Sequence, residues 1–153
     1  VIFDIPPFRP YQLLKLGLPY NYHTYEICCN FIDDMVDIAT RLNLNILLKR
    51  KRKMNSNFHD KRYHNHITKL LKSSNNFFEI DYNLSAHYVI SQTSATISFP
   101  FTSTALISRH LKIPSCYYDP TGLLFKDDIG SHGIKIFSCH NELSDWLKIH
   151  LNL

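Results

Sequence analysis

The chain has 153 residues, 44% hydrophobic and 20% charged, which allows one domain with a buried core and argues against global disorder. The formal charge of +4, from 17 Lys and Arg against 13 Asp and Glu, suits anionic ligands without demanding nucleic acid. The 4 Cys include no C-x-x-C pair, which favours reduced thiols in a cytosolic protein, and no apolar run approaches the roughly 20 residues of a spanning helix.

In chain order, residues 1–5 are an apolar run stopped by Pro6 and Pro7, a buried strand with Arg9 just beyond it. No signal peptide opens the chain; it begins on Val1 rather than Met and is read as a piece of a longer protein. Residues 6–22 form a long irregular connection with a helical turn near 11–16. Residues 24–42 are the clearest helix. Thr24 is its N-cap, Glu26 lies in its first turn, and Ile27, Phe31, Met35, Ile38 and Leu42 make one apolar face. Asp33, Asp34 and Asp37 sit mostly opposite, as a solvated face rather than a metal site.

A turn and second strand follow over residues 43–49, running into the basic block Lys49, Arg50, Lys51, Arg52 and Lys53. Residues 54–60 read as a polar loop, 61–72 as a helix and 77–80 as a strand. A short helix is expected within 81–91. Residues 97–99 form a strand broken by Pro100 and Phe101, 105–111 a helix and 115–118 another strand. A polar loop over 123–133, a strand over 134–137 and a helix over 141–151 close the chain. Short strands, apolar on both faces and alternating with helices, indicate a parallel sheet covered by helices.

In such a sheet, ligands bind beyond the carboxyl ends of the strands. Arg9, the block from Lys49 to Lys53, and residues 101–104 all follow strand ends. Thr102, Ser103 and Thr104 stand where a helix begins, and free N–H groups with a positive dipole suit an anion there. Taken alone, these hydroxyls are ordinary N-caps and the basic block is as readily a solvated loop. Their convergence on one edge favours a phosphate site. Asp119, at the end of a strand, either binds a ribose hydroxyl or starts the Asp-Pro turn. No glycine-rich dinucleotide or P-loop motif is present among the 4 Gly, nor a nucleophile elbow or zinc spacing. No metal or other cofactor is expected.

Residues 97–108 (Ile-Ser-Phe-Pro-Phe-Thr-Ser-Thr-Ala-Leu-Ile-Ser) and 112–120 (Lys-Ile-Pro-Ser-Cys-Tyr-Tyr-Asp-Pro) resemble the polysaccharide biosynthesis proteins named for a Pro-Phe-Thr-Ser motif, here Pro100, Phe101, Thr102 and Ser103. Residues 1–9, 30–37 and 46–52 are similar to other segments of that family, so the resemblance covers nearly the whole chain. That family in turn resembles bacterial glycosyltransferases of the GT-B type, whose C-terminal half is a Rossmann-like domain that binds the donor.

The resemblance implies an α/β, Rossmann-like parallel sheet with helices on both faces, as one nucleotide-sugar-binding domain over 1–153. It implies a transferase in bacterial surface polysaccharide synthesis, such as capsule or lipopolysaccharide. Ser103 and Thr104 match in type and setting the hydroxyl pair that binds donor phosphate in related sialyltransferases. The His-Pro pair of those enzymes has no counterpart here; residues 49–52 take its place. On this view Thr102, Ser103, Thr104, Lys49, Lys51 and Arg52 hold phosphate, and Arg9, Pro100, Phe101 and Asp119 are further donor contacts. The substrate is a nucleotide-sugar and the acceptor a saccharide or lipid-linked saccharide. An N-terminal lobe of the same protein supplies the acid/base carboxylate, so this chain alone is inactive. Nucleic acid is not an expected partner. The location is cytoplasmic, and peripheral contact with the inner face of the membrane is compatible. Two other readings stand beside this one: a basic Rossmann-like module binding RNA or another polyanion, and a different sugar-nucleotide enzyme such as an epimerase.

Overall fold

The structure is a computed structural model that describes residues 1–17, 22–51, 53 and 57–153. It contains a six-stranded sheet in the order β3-β2-β1-β4-β5-β6, with every neighbouring pair parallel. The strands are β1 (Ile2–Phe3), β2 (Ile46–Lys49), β3 (Phe77–Ile80), β4 (Thr96–Ser98), β5 (Ser115–Tyr118) and β6 (Ile136–Phe137). The helices are α1 (Pro10–Lys15), α2 (Tyr25–Arg41), α3 (Lys61–Ser73), α4 (Ala86–Ser91), α5 (Ser103–His110) and α6 (His140–Leu151). A 3-10 turn, Ile129–Ser131, interrupts the loop before β6.

The strand order reverses at β1: the chain steps outward through β2 and β3, then returns to the other side of β1 for β4, β5 and β6. The expected Rossmann-like α/β sheet is therefore present, and its topological switch point lies between β1 and β4.

The main core lies beneath α2, α3 and α6. Phe31, Ile32, Met35 and Ile38 of α2, Tyr63 and Ile67 of α3, and Leu143, Trp146 and Leu147 of α6 meet Ile2, Leu48, Ile97, Phe99 and Tyr118 from the strands and their ends. The opposite face packs α5 and its neighbour α4, with a small cluster of Ala105, Tyr117, Ile134 and Ile136. α2 begins as its sequence dictates, with the Thr24 hydroxyl accepting from Ile27 N at 3.4 Å and seven buried residues on its inner face.

β4 departs from the expected two-sided apolar pattern. Ile97 and Phe99 point into the main core, whereas Thr96 and Ser98 are fully buried towards α5. Their hydroxyls are paired across that interface: Thr96 Oγ1 donates to Ser108 Oγ at 2.8 Å, and Ser98 Oγ meets Thr104 Oγ1 at 2.9 Å. Small hydroxyl side chains can be buried here because each finds a partner one layer away.

Polar groups are also buried at the ends of β1 and β2. Asp4 follows β1, and its Oδ2 accepts from the Tyr63 hydroxyl, while Oδ1 has no hydrogen-bond partner among the described residues. Arg50 follows β2; its Nε lies 3.0 Å from Glu79 Oε1, an ion-pair distance without hydrogen-bond alignment.

Candidate functional site

The loops after β1 and β4 leave the switch point in opposite directions. The β1 loop runs towards β2, where Asp60 N donates to Pro7 O at 2.9 Å and Arg9 N to Phe58 O at 2.8 Å. The β4 loop runs towards β5, where the Tyr117 hydroxyl donates to Thr102 O at 3.0 Å. Between them, Tyr22 and His23 return over Phe99 with ring centroids 5.5 and 5.8 Å away. Burial lowers the pKa of His23, so near neutrality its imidazole is uncharged and keeps one donor and one acceptor nitrogen.

The start of α5 opens onto this crevice. Thr102 is its N-cap in position, with extended backbone, but makes no side-chain capping bond. Its hydroxyl turns back to donate to Phe99 O at 2.9 Å and lies 3.1 Å from Thr104 Oγ1. Thr104 is thereby tied to Ser98 and Thr102, and Ser103 remains exposed. The other helices of two turns or more are treated differently. Thr24 caps α2 and Asp60 caps α3, and α6 carries Glu142 in its first turn. Among the described helices of that length, α5 alone has neither a capping side chain nor an acidic first-turn residue. Its leading N–H groups and positive dipole end are left for an external acceptor.

The residue before this N-cap is strained. Phe101 sits at φ 61°, a region that costs a bulky side chain on the order of 1 kcal/mol or more. Its ring packs against Tyr117 at 6.0 Å and lies 3.3 Å from the point where a Gly130 Cβ would stand, yet it is 44% exposed. Pro100 is buried behind it. The Pro-Phe-Thr-Ser segment thus forms one tight connection that aims the α5 amides outward and keeps one aromatic face in solvent.

The basic block divides by strand alternation. Lys49 is 3% exposed and its ammonium donates to Arg50 O at 2.7 Å and Tyr82 O at 3.1 Å; burial lowers its pKa. Arg50 points to the opposite face, against Glu79. Lys51 and Lys53 are exposed, and Arg52 lies outside the described residues, as do 18–21 of the long first connection and 54–56 of the polar loop. With strands about 4.8 Å apart, Lys49 on β2 stands two strands, or about 10 Å, from Ser98 on β4. Arg9 is half-buried at the start of α1, its backbone held by Phe58 O.

Asp119 is fully buried. Its Oδ1 accepts from the Tyr22 hydroxyl at 2.9 Å, Thr121 N at 2.9 Å and Thr121 Oγ1 at 2.6 Å, and Oδ2 accepts from Leu124 N at 2.9 Å. Burial pushes its pKa up, but these bonds outweigh it and hold the carboxyl below its ordinary value. The carboxylate thus fastens Tyr22 and the 119–124 turn. Of the expected contacts, residues 100–104 come together at the switch point, Arg9 and Lys51 stand on the same sheet edge, and Lys49 and Asp119 are committed to internal partners.

This strained loop, placed at the switch point, is the segment that carries the Pro-Phe-Thr-Ser motif. A family model described as polysaccharide biosynthesis PFTS motif protein matches residues 1–147. The chain belongs to that family. No curated protein matches it. The PFTS chain therefore presents its family motif as the connection between β4 and α5.

Tyr22 and His23 are additions to the site that sequence reasoning missed. The only signal was an aromatic pair directly before the Thr24 cap, and long-range packing on Phe99 gives it meaning. A groove of about 410 Å³ lies at the opposite, amino edge of the sheet, lined by residues such as Met35, Ile38, Leu44, Ile46, Leu147 and Leu151. Its lining includes no Lys, Arg or His and offers little to hold a phosphate. Among the described residues no group of His, Cys, Asp and Glu could hold a metal ion, and no helix is long and apolar enough to cross a membrane.

Proposed function

We propose that this member of the polysaccharide biosynthesis family is the donor-binding domain of a GT-B type glycosyltransferase that uses a nucleotide-activated sugar. The observation that carries this reading is the uncapped start of α5 at the switch point of an all-parallel sheet. Backbone N–H groups of residues 103–105 bind the donor phosphate, with the Ser103 hydroxyl beside them. Phe101 offers an apolar face to the base or the sugar. Lys51 and Arg9 add positive charge on the same edge, and Lys49 contributes through the field from beneath rather than by contact. In transfer, the donors that hold phosphate in the ground state stabilise the charge that develops on the departing nucleotide. A second lobe of the same protein supplies the acceptor site and the acid/base carboxylate, so this domain binds and does not transfer by itself.

A thermal-shift panel of CMP, UDP, GDP and their sugars, with unphosphorylated nucleosides as controls, tests this. At about a hundredfold excess over Kd the matching nucleotide is expected to raise Tm by roughly 5–10 °C. The nucleosides should do nothing. No shift with any nucleotide, together with salt-sensitive stabilisation by an oligonucleotide, would replace the reading with the polyanion-binding one.

A further inference from the structure

We propose that Asp4 and Glu79 compete for the guanidinium of Arg50, and that a proton on Asp4 decides which of them holds it. β2 lies between β1 and β3 in the sheet, so Arg50 has a carboxyl-bearing neighbour on each side. Ile2, Leu48 and Phe77 all point into the main core, and Ile2 pairs with Leu48. Two residues further along, Asp4, Arg50 and Glu79 therefore fall on that same face, with Asp4 level with Arg50 one strand away. Asp4 is 7% exposed and Arg50 4%. Asp4 Oδ1, an acceptor, and Arg50 Nε, a donor, are both buried without a hydrogen-bond partner among the described residues. Buried polar atoms are nearly always paired, so an unmet acceptor beside an unmet donor marks a contact that a second arrangement makes.

The two carboxyls differ in their access to water. The Glu79 side chain is 34% exposed and lies on the outermost strand, 3.0 Å from Arg50 Nε without hydrogen-bond alignment. Released from Arg50, its charge is solvated. Asp4 has no such recourse. Its Oδ2 accepts from the Tyr63 hydroxyl of α3, and the Arg50 charge favours its ionised form while Glu79 opposes it. The other titratable groups around it are Cys28 on α2 and Lys49, which acts from the opposite face of the sheet. While Asp4 keeps its proton it is neutral and leaves Arg50 to Glu79, which is the arrangement seen. Once the proton is lost, a buried carboxylate with a single hydrogen bond stands beside a guanidinium. Turning Arg50 from the β3 side to the β1 side then satisfies both unpaired atoms and gives up only a partly exposed ion pair. Burial raises the Asp4 carboxyl to about 6, which places the exchange in mildly acidic solution. The exchange carries a guanidinium one strand nearer the switch point and returns a carboxylate to solvent at the sheet edge. It does not depend on what binds at α5.

NMR of the chain labelled with carbon-13 and nitrogen-15, titrated from about pH 4 to about pH 8, reads all three groups in one sample. The Asp4 carboxyl carbon, Arg50 Nε and the Glu79 carboxyl carbon are expected to step together with a shared midpoint near 6. The nuclear Overhauser contact of the Arg50 Nε proton should pass from the Glu79 side chain at the acid end to the Asp4 side chain at the neutral end. In Asp4→Asn, which cannot ionise, the Arg50 and Glu79 steps at that pH should vanish and the contact with Glu79 should persist throughout. In Glu79→Gln, which removes the competing charge, the Asp4 midpoint should fall and the contact with Asp4 should form at lower pH. The wild-type titration decides the matter even where a variant does not fold. An Arg50 contact that stays with Glu79 while Asp4 ionises would overturn the proposal. So would steps of Arg50 and Glu79 near pH 6 that survive in Asp4→Asn, or an Asp4 that never ionises across the range.

Discussion

Replacing Ser103 with Asp is expected to weaken nucleotide binding by about 10- to 100-fold, because a carboxylate would stand within a few ångströms of the phosphate. The fold should be as stable as before or slightly more so. Ser103 is exposed and makes no hydrogen bond that the fold needs, and an acidic side chain in a first turn favours the helix by roughly 0.3–1 kcal/mol. Opposite signs for binding and stability distinguish a ligand site from a damaged fold. Alanine at Thr104 would be a poorer test, since its hydroxyl partners Ser98 in a buried layer and its loss leaves that group unsatisfied. Titration calorimetry and thermal melts of S103D, side by side, check both halves. Unchanged affinity would remove the α5 start from the site.

A second large effect concerns pH. Burial of Asp4 pushes its carboxyl up to about 6, against the opposing influence of the Tyr63 hydrogen bond and the Arg50 charge. The groups around it are Tyr63 on α3, Arg50 at the end of β2, Glu79 on β3 and Cys28 on α2, and the Lys49 charge acts on it from the other face of the sheet. Between the ordinary carboxylate range near 4 and this raised value, the folded state holds a proton that the unfolded chain has released. Stability contributed by this group is therefore greatest below about pH 4 and falls as pH rises to about 6, by roughly 3 kcal/mol. Asp60 and Asp119, with lowered values, change stability in the opposite direction, losing their contribution as the solution is acidified. The comparison of wild type with Asp4→Asn isolates the contribution of Asp4. Denaturant unfolding across pH 4–7 should show the variant lacking that decline, so that its stability relative to wild type rises with pH. Parallel curves for the two proteins would show that Asp4 does not titrate in this range.

The element boundaries were largely legible because they rest on local chemistry. Phe77–Ile80 and Ser115–Tyr118 occur at the expected limits, and α2 differs by one residue at each end. Strand order was not legible, because the pairing of β1 with β4 joins residues far apart in sequence, and nothing local to Ile2 or Ile97 encodes it. The alternation at β2 explains why the basic block reads as one patch but does not act as one. The two-residue period continues through Lys49 and Arg50, sending one side chain to each face, where each finds an internal partner. Asp119 was chemically ambiguous for the same reason: a carboxylate ending a strand can bind a ligand or organise its own turn, and only Tyr22, nearly a hundred residues away, decides between them. The Pro-Phe-Thr-Ser segment was legible as a helix start, but not that Thr102 turns its hydroxyl away from the amides it is positioned to cap.

Donor binding at the uncapped start of α5 is read directly by amide-resolved NMR. In a ¹⁵N-edited titration with nucleoside diphosphate, the backbone amides of Ser103, Thr104 and Ala105 are expected to move most, with Phe101 and His23 responding beside them and the amino-edge residues unchanged. Shifts confined to Lys51, Lys53 and Lys61, with the α5 amides still, would contradict it.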